Sequence, residues 1–376
     1  MRPERALLLE ALADPRRLVA WSAADLDLAL RVLRRARLLG RVASALDSEG
    51  LLGSLPLAAR DALSSALIAA QARARVARWE LDRIAHALGS ELGEGVVAMK
   101  GCAYLLAGLP HAAGRMFADV DLLVPEARLR EVEARLVARG WHSAELSPYD
   151  ERYYRAWTHE LPPLTHEERE VEVDLHHNVL MRTARLHPDP GLLLAAARPA
   201  PAIGEFASRD GFQLLAPVDM VLHAMTHLFY GGEMDDALRE VADIDALLRH
   251  YGEHEPQFWA QFWPRAVGMD LARPAFYGLR YAHRLLATPI PAWVLQASQA
   301  AAPPAPVLAW MDRLVPRALF PPHPDRPERR TAFARLLLYV RSHWVKMPPL
   351  MLARHLAYKL YVRHFRPHHT EPGEVP

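Results

Sequence analysis

The sequence predicts an α/β core with a mixed β-sheet, flanked by N-terminal and C-terminal α-helical regions and mostly helical overall. Three observations predict it. Ala118-Asp-Val-Asp-Leu-Leu-Val124 alternates polar and apolar residues and reads as a strand. Glu170-Val-Glu-Val-Asp-Leu-His176 alternates strictly and reads as a second strand. Long Ala-, Leu- and Arg-rich stretches with helical spacing lie before and after them.

Residues 1–90 carry apolar positions at helical spacing: Leu26, Leu30 and Leu33, then Ile68, Ala72, Val76 and Trp79, then Leu81 and Ile84. This spacing predicts three or four amphipathic helices, joined in the Gly50–Gly53 region. Residues 91–216 form the predicted α/β core. Gly95-Val-Val-Ala-Met99 is a short buried strand, followed by the dipeptide Lys100-Gly101 and a helix over 102–107 closed by Gly108 and Pro110. The acidic strand follows Gly114-Arg115. Pro125 then opens a helix with Leu129, Val132 and Leu136 on one face, and Gly140 ends it. Trp141–Leu146 is a further strand candidate before the one at 170–176. The resulting β-α-β-α-β-β order implies a mixed sheet. Residues 186–217 connect onward, with a short strand expected at Phe206. Residues 217–367 are expected to be helical, with proline loops at Pro303–Pro306 and Pro321–Pro327, and 368–376 to be a disordered tail.

A net charge of +1 over 376 residues gives no bulk electrostatic case for long nucleic acid as a partner. The single cysteine, Cys102, excludes an intramolecular disulfide and a cysteine-based zinc cluster, and fits a reducing cytoplasm. Glu4 and Glu10 interrupt the N-terminus, which lacks a signal-peptide core, and no apolar run suits a bilayer span. The expectation is a soluble, cytoplasmic protein.

The acids carry the chemistry. Residues two apart in a strand share a face and lie roughly 6–7 Å apart. Asp119 and Asp121 at that separation can converge on divalent cations about 4 Å apart, an arrangement suited to phosphoryl and nucleotidyl transfer. The second strand offers Glu172 and Asp174 on one face, shared with His176, while Val171, Val173 and Leu175 point away. Asp174 would accept or orient the proton of an acceptor hydroxyl, with Glu172 as the fallback. Lys100-Gly101, between a strand and a helix, can present backbone N–H groups and a point charge to phosphate oxygens. Arg115 has two open roles, gripping triphosphate oxygens or pairing with one of the acids. Only three lysines occur in the chain (Lys100, Lys346 and Lys359), which singles out the one near the acidic strand.

These residues carry a resemblance. Val96-Val-Ala-Met-Lys-Gly101, Gly114-Arg-Met-Phe-Ala-Asp-Val-Asp-Leu-Leu-Val124 and Val171-Glu-Val-Asp-Leu-His176 resemble the "KG…R…DxDLLV" and "vDLH" elements of an uncharacterised bacterial nucleotidyltransferase family. That family belongs to the DNA polymerase β-like superfamily. Asp219–His227 and Val241–Asp245 are similar to its later helices. The resemblance covers roughly residues 94–250 and implies a mixed-sheet core, an NTP donor and Mg²⁺ (two ions, with Mn²⁺ as a substitute). It also implies Asp119 and Asp121 as metal ligands and Asp174 as the third acid. In the wider superfamily Gly-Ser or Gly-Gly stands where this chain has Lys100-Gly101. The expected reaction moves a nucleoside monophosphate to a small-molecule, peptide or protein acceptor. The other reading is a catalytically degenerate fold that binds NTP or a partner protein, as an antitoxin would.

Other features have plainer readings. His223 and His227 share a helix face at zinc-binding spacing, but Ala224 breaks the His-Glu-x-x-His pattern, and helix packing is expected. His227 could still border the cleft. Asp243-Ile-Asp245 reads as a solvated helix face, with Asp243 the residue that could face the cleft. The basic segment Leu350–Arg366 is expected to pack on the body through Leu352, Leu356 and Leu360.

Overall fold

The computed structural model describes residues 2–89, 95–201, 211–232, 234, 237–326 and 328–365. The strand expected at Phe206 and the tail from residue 368 lie outside these residues.

Four helices open the chain: α1 (Pro3–Ala13), α2 (Ala23–Arg35), α3 (Leu39–Ser48) and α4 (Leu57–Leu88). The Ser22 hydroxyl caps α2 by accepting from the Asp25 amide at 3.2 Å. Gly50 and Gly53 lie between α3 and α4, as the sequence predicts. The long helix α4 corrects one expectation. Ile68, Val76 and Trp79 are exposed, and the buried stripe is Leu63, Leu67, Ala70, Ala74, Ala77, Leu81 and Ile84. Both faces of α4 are apolar enough to pack. The small alanines admit neighbouring helices closely, whereas Trp79 lies under the guanidinium of Arg169 at 5.3 Å.

The middle of the chain builds one sheet. In order come β1 (Val96–Ala98), α5 (Lys100–Leu106), β2 (Asp119–Leu123), α6 (Leu129–Val137), β3 (Trp141–Ser143) and α7 (Pro148–Trp157). Then follow β4 (Leu164–His166), β5 (Arg169–His176), α8 (Pro190–Ala196), β6 (Arg198–Pro199) and β7 (Phe212–Leu214). The strand order is β3-β4-β5-β2-β1-β7-β6. The β2–β5 and β1–β7 pairs are parallel and the remaining pairs antiparallel, so the sheet is mixed. Ala98, Val120, Leu122, Val173 and Leu175 are fully buried and supply one face of its core. The strand expected over Trp141–Leu146 stops at Ser143, and the sequence reading misses β4, β6, β7, α7 and α8. Strands of two or three residues are too short to show an alternation.

The rest is helical: α9 (Pro217–Gly231), α10 (Ala237–His254), α11 (Phe258–Gly268), α12 (Ala272–Leu286), α13 (Ala292–Ser298), α14 (Ala305–Leu319), α15 (Arg329–Lys346) and α16 (Pro349–Phe365). Helix α9 packs on α10, α11 and α12 and also touches α5, the helix that Lys100 opens. Helix α16 docks only in part as expected. Leu352 packs against the core as expected, but Leu356 is exposed, and further contact comes through His355, which bonds the Tyr149 hydroxyl at 3.0 Å, and Tyr358, stacked on the Tyr149 ring at 3.8 Å. No described helix is long and apolar enough to cross a membrane.

Candidate active site

Strand register brings the acids together. In the parallel β2–β5 pair, Asp119 lies beside Glu172, Asp121 beside Asp174 and Leu123 beside His176. Partners in register project from the same face of a sheet. One face therefore holds Asp119, Asp121, Glu172, Asp174 and His176, while Val120, Val171, Val173 and Leu175 fill the core on the other. Burial deepens along the strands. Glu172 is exposed, Asp119 and Asp174 are half-buried, and Asp121 and His176 are 1% and 2% exposed.

Strand β1 runs antiparallel to β2 and delivers Lys100 to this face. The Met99 amide donates to the Asp121 carbonyl at 2.9 Å, and the Lys100 Nζ lies 2.6 Å from Asp121 Oδ1. Lys100 holds a left-handed backbone (φ +46°), which costs a non-glycine residue roughly 1–2 kcal/mol. Such strain persists where surrounding contacts fix it, here the Asp121 pair and the start of α5. Burial alone would lower the lysine's pKa; the charges of Asp121, Asp119 and Asp174 outweigh it and raise the value. Burial would raise Asp121, but the Lys100 charge and the His176 hydrogen bond hold it well below the usual carboxylate range. Asp174 goes the other way. Burial, then the negative charges of Asp121 and Glu160, push it well above its ordinary value. The Cys102 thiol beside the Asp119 carbonyl is pushed up by burial and the neighbouring acids, which makes it a poor nucleophile.

His176 bridges to residues that sequence reasoning missed. Its Nε2 lies 3.0 Å from Asp121 Oδ1, and its Nδ1 lies 3.4 Å from Glu160 Oε2. Glu160 is brought there by an antiparallel bridge to His176, flanked by hydrogen bonds from the Leu161 amide to the Leu175 carbonyl and from the His177 amide to the His159 carbonyl. His159 and Glu160 lie between a helix and a three-residue strand, with no periodicity to place them. Asp121, Asp174 and His176 can direct ligand atoms to one point, and so can His159, Glu160 and His176.

Arg115 pairs with Asp243 of α10 rather than with an acid of the strands. Its Nε lies 3.2 Å from Asp243 Oδ2, and Arg41 approaches Asp243 Oδ1 at 3.5 Å. Asp243 is 4% exposed, which corrects the expectation of a solvated helix face: α10 turns it inward to two guanidinium groups. Burial would raise its pKa, but Arg115, His111 and Arg41 lower it. Glycines permit this arrangement. A Cβ on Gly101 would collide with the Arg115 guanidinium, and Gly40 and Gly114 meet backbone to backbone, so α3 can bring Arg41 in beside Arg115. Arg115 therefore supports the Lys100-Gly101 turn from beneath.

Helix α9 adds histidines at the rim. His223 is buried, and burial together with the Lys100 charge holds its pKa well below the ordinary imidazole value. His227 is partly exposed and bonds Glu240 of α10 at 3.1 Å. The rings are 6.4 Å apart, and among the described residues they complete no metal-ligand group with a third residue. Clefts of about 610 and 630 Å³ elsewhere on the surface are lined by none of these residues. Charge, not cavity size, marks this site.

The register-paired acids and the facing lysine share one face of the mixed sheet. The family described as uncharacterised nucleotidyltransferase matches residues 22–287, well over half of the chain, and the protein belongs to that family. No curated protein and no solved structure matches the chain.

The donor chemistry suits a hard divalent cation. Asp119, Asp121 and Asp174 offer carboxylate oxygens, the ligands Mg²⁺ and Mn²⁺ prefer. The neighbouring acids raise Lys100 and, after burial, Asp174, whereas Asp121 is held down by the Lys100 charge and the His176 hydrogen bond.

Proposed function

We propose that this protein transfers a nucleoside monophosphate from an NTP to a hydroxyl or similar group on a small molecule, peptide or protein, releasing pyrophosphate. The observation that carries the reading is the β2–β5 register, Asp119 beside Glu172 and Asp121 beside Asp174, on a face that holds Lys100. Family membership supports the reaction class.

Asp119, Asp121 and Asp174 would hold the cation, Mg²⁺ or Mn²⁺ in two copies, which supplies charge neutralisation at the triphosphate and acidifies the attacking oxygen. Asp121 is oriented from two sides, by Lys100 and by the His176 imidazole, so its free oxygen has one direction to face. Asp174, with its raised pKa, is suited to take the acceptor's proton on a carboxylate oxygen. Lys100 lies within reach of phosphate oxygens that approach the acids, and Gly101 lets the turn sit against Arg115. Arg115 and Asp243 act as positioning residues. Glu172 at the exposed end, with His227 and Asp243 behind the rim, leaves the acceptor side to α9 and α10.

A thermal-shift screen of the four common NTPs, with and without Mg²⁺, tests the donor half of the reading. A Mg²⁺-dependent rise in melting temperature with at least one NTP, lost in Asp119→Asn, is expected. No NTP-dependent shift for the wild-type chain would contradict the reading.

A further inference from the structure

The geometry points to a second cation site, built by His159 Nε2, Glu160 Oε2 and His176 Nδ1 and suited to a borderline transition ion of the Zn²⁺ class. The nucleotidyl-transfer reading assigns no role to His159 or Glu160 and uses only the other nitrogen of His176, the one that orients Asp121. Glu160 Oε2 lies 3.8 Å from His159 Nε2 and 3.4 Å from His176 Nδ1. Two ligands each about 2.0–2.1 Å from a tetrahedral ion stand roughly 3.4 Å apart, so these separations suit a shared ion with little movement. All three ligand atoms fall within 4.8 Å of one another.

The second observation is the state of His176. Its side chain is 2% exposed, yet Nδ1 makes no hydrogen bond among the described residues. A buried polar atom left without a partner is destabilising, so its persistence calls for one. The Glu160 carboxylate, 3.4 Å away, does not meet hydrogen-bond geometry. The opposite ring nitrogen is already committed, since Nε2–H donates to Asp121 at 3.0 Å. That leaves Nδ1 on the His159–Glu160 side as the nitrogen available to an ion. Carboxylate, imidazole and metal in line is the arrangement in which metal-bound histidines are held by their second nitrogen. Asp121 is the carboxylate here.

The donor set separates this site from the one on the sheet. Two imidazole nitrogens and one carboxylate favour Zn²⁺, Co²⁺ or Fe²⁺ over Mg²⁺, and three protein ligands leave a fourth position open. Loading the site would tie the 158–161 segment to the end of β5. It would also fix the His176 ring that orients Asp121.

The test uses the full chain, stripped with a chelator and titrated with Co²⁺ as the optical probe. A tetrahedral nitrogen-containing site gives intense visible ligand-field bands, whereas a carboxylate-and-water site stays pale. One equivalent of coloured Co²⁺ is expected, displaced by Zn²⁺ and not by Mg²⁺. Glu160→Gln and His159→Ala should each weaken binding at least about tenfold, with unchanged circular dichroism and melting profile. Asp174→Asn should retain the bands. Pale Co²⁺ binding alone, or bands that survive both Glu160→Gln and His159→Ala, would overturn the site. Bands lost in Asp174→Asn and kept in Glu160→Gln would place the ion among the sheet acids and overturn it equally. None of these outcomes depends on NTP, so this inference and the transfer reading fail separately.

Discussion

Two buried charge clusters lie within the same core and are built on opposite principles. Around Asp243, one carboxylate meets Arg115 and Arg41, with His111 close by, and the acid is held firmly ionised. On the sheet face, Asp119, Asp121 and Asp174 act on a single lysine ammonium, and the strain surfaces as one acid pushed down and its neighbour pushed up. The first cluster is closed and balanced, as a structural latch should be. The second carries more negative charge than its neighbours neutralise. A protein that keeps such a surplus gives up stability there for something it binds.

The comparison can be broken in order of effect. Replacing Asp121 by Asn should lower nucleotidyl transfer on the order of 10³-fold, read as pyrophosphate release, because it removes a preorganised charge at the reacting phosphate. Replacing Asp243 by Asn should act on stability instead. It strands two arginine groups, at a cost of about 3–5 kcal/mol in a denaturant titration. Asp174→Asn should have the opposite sign, raising the melting temperature of the metal-free protein by about 1–3 °C while abolishing transfer. A fall in melting temperature for Asp174→Asn would show that the sheet acids are structural after all.

A smaller effect concerns pH. Burial lowers the pKa of His111 to about 3, against an ordinary value near 6.5. The unfolded chain therefore takes up a proton at His111 below about pH 6.5 that the folded chain refuses. Its contribution to stability is complete above that pH and is lost as pH falls toward 3. His111→Gln should flatten the acid side of a plot of melting temperature against pH. It should not abolish the slope, since burial also holds His159 and His223 well below their ordinary values. Smallest of all, Glu172→Gln at the exposed end of the face should change the transfer rate by less than about tenfold.

The contrast also explains what the sequence made legible. The alternation in Asp119–Leu123 and Glu170–His176 reports strand and face directly, so the shared acidic face could be read without coordinates. Lys100-Gly101 stood out because lysine is rare in this chain. The latch could not be read that way. Asp243 looks solvated because its partners, Arg115 and Arg41, are contributed by a loop and a helix far away in sequence, and only the close approach of Gly40 and Gly114 joins them. Glu160 and His159 were hidden for a related reason, since a single bridge to β5 places them. On α4 the periodicity was genuine, but two apolar stripes competed, and the one with the smaller side chains is buried.

The most direct test of the central claim, that the acids of β2 and β5 hold divalent cation together with NTP, is Mn²⁺ binding followed by electron paramagnetic resonance. Done in a Glu160→Gln background with a non-hydrolysable NTP analogue, it isolates the sheet face. The analogue should tighten Mn²⁺ binding, and Asp119→Asn or Asp121→Asn should weaken it at least about tenfold. Mn²⁺ binding that ignores both the nucleotide and these substitutions would contradict that claim.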